Sequence, residues 1–298
     1  MTANAADQSE KGLLTRPSSH RQHRSCCNQF LRSVPRSLDG RRLVLANIVA
    51  GLVTAALLAG GGLAWRYRGR LGLLRAELRR SGRMRVSVAA ILRIKDDDGY
   101  VLMQHPFRPG SYGPPGGVFK YTSAARAALD AVGFVEHRPP GREATMNRDL
   151  RGFVSPRRGL GFLRWFDSGA DRESGPECLH RELREELAEA GHPELVALAE
   201  NLRFRKVRAV VDGPRPTPGK EYRTVRSFEV YDIITDTLEA LQLVQSLLAL
   251  GRDADETAIL LATAADIEEG RCERYLVSPQ SAFLLGERRI HEDLPALR

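Results

Sequence analysis

The chain has 298 residues, 42% of them apolar and 28% charged, and a formal net charge of +8. The excess is confined to residues 1 to 85, which hold 16 Lys and Arg against 4 acids; residues 86 to 298 hold 29 against 33. A mildly acidic folded part excludes a DNA- or RNA-binding domain, which needs its basic surface on the fold itself. Four cysteines at no regular spacing exclude a disulfide framework or a zinc site and fit a reducing compartment.

Residues 1 to 42 are rich in Ser, Arg, Asn and Gln and read as a disordered basic tail. Its adjacent Cys26 and Cys27 are either lipidation sites or unpaired thiols. Leu43 to Trp65 is a run of 23 residues without a charge. As a helix it spans ~34 Å, enough to cross a bilayer core of ~30 Å. Arginines flank both ends, and Trp65 and Tyr67 suit the interface. The eight arginines of residues 66 to 85, against five in residues 23 to 42, place the C-terminal part in the cytoplasm of a single-pass inner-membrane protein. Gly51, Ala55 and Ala59 at i, i+4 and i+8 either allow helices to pair into a homo-oligomer or reflect the abundance of small residues in membrane helices. Residues 66 to 83 read as a basic linker against lipid head groups, with Leu71, Leu73, Leu74 and Leu78 dipping into the interface.

The folded domain is expected over residues 84 to 298. Val86 to Ile94 and Tyr100 to Gln104 read as strands joined at Asp96-Asp97-Asp98-Gly99 in a hairpin-like pair. The Pro- and Gly-rich loop that follows ends in Gly113-Pro114-Pro115-Gly116-Gly117, where backbone can approach a ligand or metal closely. Within residues 118 to 172, Ala124 to Val132 suits a short helix, Arg138 to Arg158 is irregular and basic, and Leu160 to Phe166 looks like a strand. This segment carries ten Lys and Arg against six acids. Arg157, Arg158 and Trp165 either take the phosphates and base of a nucleotide or belong to a surface elaboration whose Trp joins the core.

Glu173 to Gly191 carries the strongest signal. Leu179, Leu183 and Leu187 recur every four residues with no Gly or Pro from Glu177 to Ala190, which predicts an amphipathic helix. Glu182, Glu185 and Glu186 fall at i, i+3 and i+4 and share one face. Three carboxylates repel each other unless a hard divalent cation such as Mg2+ neutralises them. Arg181 is placed to pair with Glu173, eight residues before it, and so to hold the preceding loop onto the helix. Further on, Arg203 to Val211 and Thr224 to Ile234 read as strands around a loop from Asp212 to Lys220. Asp236 to Leu250 is a helix, Ile259 to Ala262 a strand, and Ala264 to Gly270 the start of a closing helix.

The spacing Glu173-x7-Arg181-Glu182-Leu183-x-Glu185-Glu186 resembles the second half of the Nudix box, and Gly113 to Gly117 resembles the Pro-Gly-Gly turn in which that box opens. The chain therefore resembles the Nudix superfamily over residues 84 to 298, with the box split by the insertion 118 to 172. Two positions depart from the pattern: Asp167 and Ala188 stand where the family expects glycines. The resemblance implies a Nudix-like α/β/α sandwich with a mixed sheet, here preceded by one transmembrane helix. It implies Glu182 and Arg181 as catalytic residues, and Glu182, Glu185 and Glu186 as Mg2+ ligands. It also implies Gly116 and Gly117 as ligand-binding positions, Glu173 as a structural residue, and a nucleotide as ligand. Glu229 matches an acid that many Nudix proteins carry at the edge of the site, or else it serves as a cross-strand partner for Arg. A membrane helix joined to such a domain is similar to the membrane-anchored Nudix-type sensors and effectors of bacterial cyclic-oligonucleotide antiphage systems (CBASS), the SMODS-associated Nudix domains. The alternative is a Mg2+-dependent pyrophosphohydrolase of nucleoside diphosphate derivatives.

Overall fold

A computed structural model of the chain describes residues 47–55, 57, 68–77, 82–138 and 146–292. Two units are distinguished, one ending at Leu57 and one starting at Leu58. In the first, residues 47–55 and 57 are helical, and Ile48, Val49, Leu52, Val53 and Leu57 are exposed. Among the described residues no helix is long and apolar enough to cross a membrane. The rest of the expected span, like the basic tail with its two cysteines, lies outside them.

The second unit opens with helix α1 (Arg68–Glu77). Leu73 on it is fully buried in the main core, so the stretch expected as an interfacial linker already packs into the fold. Strand β1 (Met84–Arg93) is the axis of the domain. Successive side chains of a strand point to opposite faces, and both faces of β1 are buried over most of its length. Met84, Val86, Val88, Ala90 and Leu92 enter the main core; Ala89 and Ile91 enter a second, smaller one.

Two mixed sheets surround this axis. The first runs β5 (Val135–Glu136), β6 (Arg151–Val154), β1, β8 (Arg223–Ile234), β7 (Arg203–Pro216), with β4 (Gly116–Val118) sharing the β6 side of β1. β1 and β8 are parallel; the other pairs are antiparallel. The second runs β10 (Arg271–Cys272), β11 (Tyr275–Val277), β3 (Ser111–Gly113), β2 (Tyr100–Gln104), β9 (Ile259–Ala262). The helices are α2 (Arg126–Ala131), α3 (Gly159–Ser168), α4 (Gly175–Glu189), α5 (Val196–Ala199), α6 (Leu238–Arg252), α7 (Ala264–Glu269) and α8 (Ala282–Leu285). This is a mixed α/β architecture consistent with a Nudix-like fold.

Four expectations are corrected. β1 and β2 do not form a hairpin ladder. They meet at the Lys95–Tyr100 bridge and then part, β2 pairing with β3 and β9 in the other sheet. Leu160 to Phe166 is helix, not strand. Its buried residues Leu160, Leu163 and Phe166 recur at i+3, a spacing that a short, continuously apolar and aromatic run conceals. The stretch read as irregular contains β6 and a 3-10 turn, Pro156–Arg158. Strand β7 continues through the loop expected from Asp212, past an irregularity at the cis Gly213–Pro214 bond, because Arg215 and Pro216 resume pairing with Thr224 and Arg223.

Candidate functional site: a carboxylate cluster on a split motif

The local sequence fixes α4 at its start. Ser174 accepts from the amide N–H of Glu177, whose carboxylate accepts from the Ser174 N–H, a reciprocal cap that satisfies two otherwise orphaned donors. Cys178, Leu179, Leu183 and Leu187 are buried, which turns the glutamates to the rim. Gly175 at the helix start lies against the Tyr231 ring, where an added Cβ would be 1.9 Å from the hydroxyl oxygen.

The insertion is closed at its neck. Tyr121 bridges Arg172, the Thr122 amide donates to the Asp171 carbonyl (2.8 Å), and the Glu173 amide to the Lys120 carbonyl (2.9 Å). This pairing returns the chain to its starting point, so the two halves of the motif meet although more than fifty residues separate them. The Gly116 amide donates to Oε2 of Glu186 (2.9 Å). Gly117 stands against Glu182 so closely that a Cβ there would lie 2.0 Å from the carboxyl carbon. Gly116 has φ +122°, and its own Cβ would strike the Ala90 carbonyl at 2.3 Å.

Arg181 is the hub. Its Nε and Nη2 donate to the two oxygens of Glu173 (2.8 and 2.9 Å), its Nη1 to Glu182 (2.5 Å), and its Nη2 also to the Val118 carbonyl (3.0 Å). Glu173 in turn accepts from the Lys120 amide (2.9 Å). The expected pairing of Glu173 with Arg181 is thus present, and it ties the strand after Gly117 to the helix. Burial works against the Arg181 charge, but Glu173 and Glu182 outweigh it and hold the guanidinium pKa above its usual value.

The glutamates differ. Glu185 is half exposed and 3.8 Å from Arg181. Burial pushes the Glu182 carboxyl up, with Arg181 opposing. Burial and the Glu182 charge push Glu186 well above the carboxylate range, in spite of the Gly116 amide. The oxygens suit a hard cation chemically, but Glu182 is engaged by Arg181 and Glu186 by a backbone amide. Among the described residues no three acidic, His or Cys side chains are arranged to hold a metal ion. In this arrangement the set does not fit a cation site.

Arg157 and Arg158 are exposed on the turn after β6. Val154 pairs with Met84, and Gly117 with Ala90 six residues further along β1, so backbone alone separates that turn from the glutamates by about 20 Å. Trp165 is half-buried against the main core with its ring centroid 6.0 Å from that of Phe162. Glu229 is buried, with Lys206 (2.5 Å), the Tyr231 hydroxyl and Arg172 (4.0 Å) around it.

Two residues of the site carried no sequence signal. Arg172 lies between Phe119 and Phe166, 4.9 and 4.0 Å from the ring centroids, and donates to the carbonyls of Phe166 and Glu173. Asp149, which bridges Lys120 in the insertion, is buried and electrostatically coupled to Arg181 and Glu182. Burial raises its pKa to about 6, with Arg151, Lys120 and Arg181 opposing. The native state therefore binds more protons than the unfolded chain between pH about 4 and about 6, and stability falls as pH rises through that window. Asp149→Asn should remove this loss and raise the melting temperature by roughly 5–10 °C at pH 8, with little change at pH 4. Thermal denaturation at the two pH values is the check; equal shifts at both would separate the effect from ionisation.

No curated protein and no solved structure matches the chain significantly. The family model described as the SMODS-associated NUDIX domain matches residues 83–285, the span that holds both halves of the split motif, its insertion and both sheets, and the chain belongs to that family.

Proposed function

We propose that the chain is a membrane-anchored sensor or effector of bacterial antiviral defence, whose cytoplasmic Nudix domain binds a nucleotide signal, a cyclic oligonucleotide or related nucleotide, without consuming it. The observation that carries this reading is the state of the motif's acids within the family match. Glu182 gives one carboxylate oxygen to Arg181 and Glu186 gives one to the Gly116 amide, so part of the acid set that a hydrolytic cation would need is already engaged by the protein. The membrane part rests on the uncharged run Leu43 to Trp65 with its flanking arginines, and on the exposed apolar side chains of its described helical residues. Gly51, Ala55 and Ala59 supply a face for pairing copies of this helix.

One observation favours a second reading. Glu173, Glu182, Glu185 and Glu186 stay together with the Gly116–Gly117 turn across the insertion, which is the acid set of a Mg2+-dependent pyrophosphohydrolase of nucleoside diphosphate derivatives. Nudix domains in general use divalent metals such as Mg2+. Binding and turnover of cyclic oligonucleotides and linear dinucleotides by the detergent-solubilised full chain, with Mg2+, separates the two. The expected result is saturable binding with the nucleotide recovered intact, and Glu185→Gln weakening affinity at most. Rapid product release, abolished in Glu185→Gln, would establish the hydrolase instead.

A further inference from the structure

The end of the six-stranded sheet at which β1 begins gathers several connections. Met84 is the partner of Val154 at the end of β6 and of Arg223 at the start of β8, and Arg223 is the partner of Pro216 at the end of β7. The turn Pro156–Arg158, residues 217–222 and Arg83 therefore lie at this one end. Helix α1 is seated beside them. A Cβ on its Gly72 would lie 3.0 Å from the Gly213 carbonyl oxygen on β7. Its Leu73 reaches the start of α3, where a Cβ on Gly159 would lie 3.1 Å from the leucine Cδ2. Arg70 of α1 is paired with Asp167 in the last turn of α3. With Leu73 buried, Leu74 (48% exposed) and Arg75 are left on the solvent side of α1.

That solvent side is basic. Arg75 on α1, Arg83 before β1, Arg157 and Arg158 on the turn, Arg164 on α3 and Lys220 after β7 are all exposed. Among the described side chains of the same segments, the exposed acids are Asp167, which is paired with Arg70, and Glu221. Basic side chains spread over a surface, with an exposed leucine among them, suit a plane of negative charge with an apolar interior better than one small ligand. Chain connectivity says where such a plane lies. The uncharged run ends at Trp65 and α1 opens three residues later at Arg68, so extended backbone allows at most ~11 Å between them. The glutamates are elsewhere. Gly117, which faces Glu182, is paired with Ala90, six residues along β1 from Met84 and about 20 Å from it.

We infer that this end of the domain is a docking surface for an anionic bilayer, with Arg75, Arg157, Arg158 and Arg164 on phospholipid head groups and Leu74 dipping between them. The inference rests on the membrane-anchored reading above and deepens it. The domain does not hang from its anchor on a free tether; it lies with its basic end on the bilayer and holds the Gly116–Gly117 turn and the glutamates away from the lipid. Arg157 and Arg158, expected to take the phosphates of a nucleotide, take those of lipid instead.

The test places the full chain in nanodiscs of phosphatidylcholine, alone or mixed with phosphatidylglycerol. Phenylglyoxal modifies accessible guanidinium groups, and peptide mass spectrometry reads the rate at each arginine. Arg75, Arg157, Arg158 and Arg164 should react about fivefold more slowly in the anionic discs, the value of one basic side chain at an anionic surface. The exposed Arg184 on α4 and Arg274 between β10 and β11 should react equally in both. High salt should abolish the difference. The triple variant Arg157→Gln, Arg158→Gln, Arg164→Gln should release most of the protection at Arg75. All three positions are exposed, so its melting temperature should stay near that of wild type. Equal rates in the two lipids, or equal slowing at Arg184 and Arg274, would overturn the docking surface. Protection by a single-stranded oligonucleotide in the zwitterionic discs, with none from anionic lipid, would overturn it in favour of nucleic acid. The anchor is read separately, by whether the chain stays with zwitterionic discs through a high-salt wash. Loss at that step, with the anionic footprint intact, would refute the anchor and leave the docking surface standing.

Discussion

Arg181→Ala should destabilise the domain by about 3–5 kcal/mol, the cost of leaving buried charges without their partner. The guanidinium makes four contacts with three groups: a two-pronged pair with Glu173, one bond to Glu182 and one to the Val118 carbonyl. Without it, two carboxylates that are about one-fifth exposed face each other with no cation between them, and the strand after Gly117 loses its tie to α4. Arg181→Lys should recover only part of the loss, because an ammonium cannot reproduce the planar fork. Urea denaturation at pH 7 is the measurement. The deficit should shrink on acidification, since Glu182, whose pKa is raised by burial, then becomes neutral. A loss below ~1 kcal/mol at pH 7, the range of a surface pair, would mean that Arg181 is not the hub.

That hub was readable from spacing alone, and the reason is local. Residues eight apart across a helix start have few ways to meet, and a capped helix with a leucine stripe leaves Glu173 beside Arg181. Gly116 and Gly117 were expected where backbone approaches a ligand or metal; the groups that press against them in the structure are the Ala90 carbonyl and the Glu182 carboxylate, which their own stretch of sequence does not name. What failed were statements about long-range pairing. Asp96 to Gly99 correctly signals a reversal, but a turn does not say which strand each arm will choose. β1 takes β8, some 140 residues away, and β2 takes β9. Arg172 stood one residue before the recognised motif and gave no sign of its sandwich between Phe119 and Phe166, because one ring comes from each end of the insertion. The same holds for Arg85, Arg151 and Arg226. Three arginines scattered over 140 residues look like solvated charges until an antiparallel register with β6 and a parallel one with β8 set two of them beside Ser87. Leu160 to Phe166 failed for another reason, since aromatic residues suit strands in general and a seven-residue run is too short for its period to speak against that.

Gly117→Ala should cost about 1–3 kcal/mol, the penalty for forcing a methyl group into a filled site, and its origin can be isolated. The new Cβ would sit 2.0 Å from Glu182 Cδ and 2.2 Å from both carboxylate oxygens, so the side chain must move. Any movement breaks the 2.5 Å bond to Arg181 and disturbs the Glu173 pair behind it. The strand cannot yield in its place, because Gly117 is paired with Ala90 and the adjoining Gly116 is bonded to Glu186. If the clash with Glu182 is the cause, Glu182→Ala should remove most of the penalty. The double variant would then be more stable than the two single losses sum to, by ~1–2 kcal/mol. Denaturation of the four proteins in that cycle supplies the test. Additive losses would place the strain in the backbone of β4. A coupling of the expected sign would establish that the two halves of the motif, separated in sequence by the insertion, act as one packed unit.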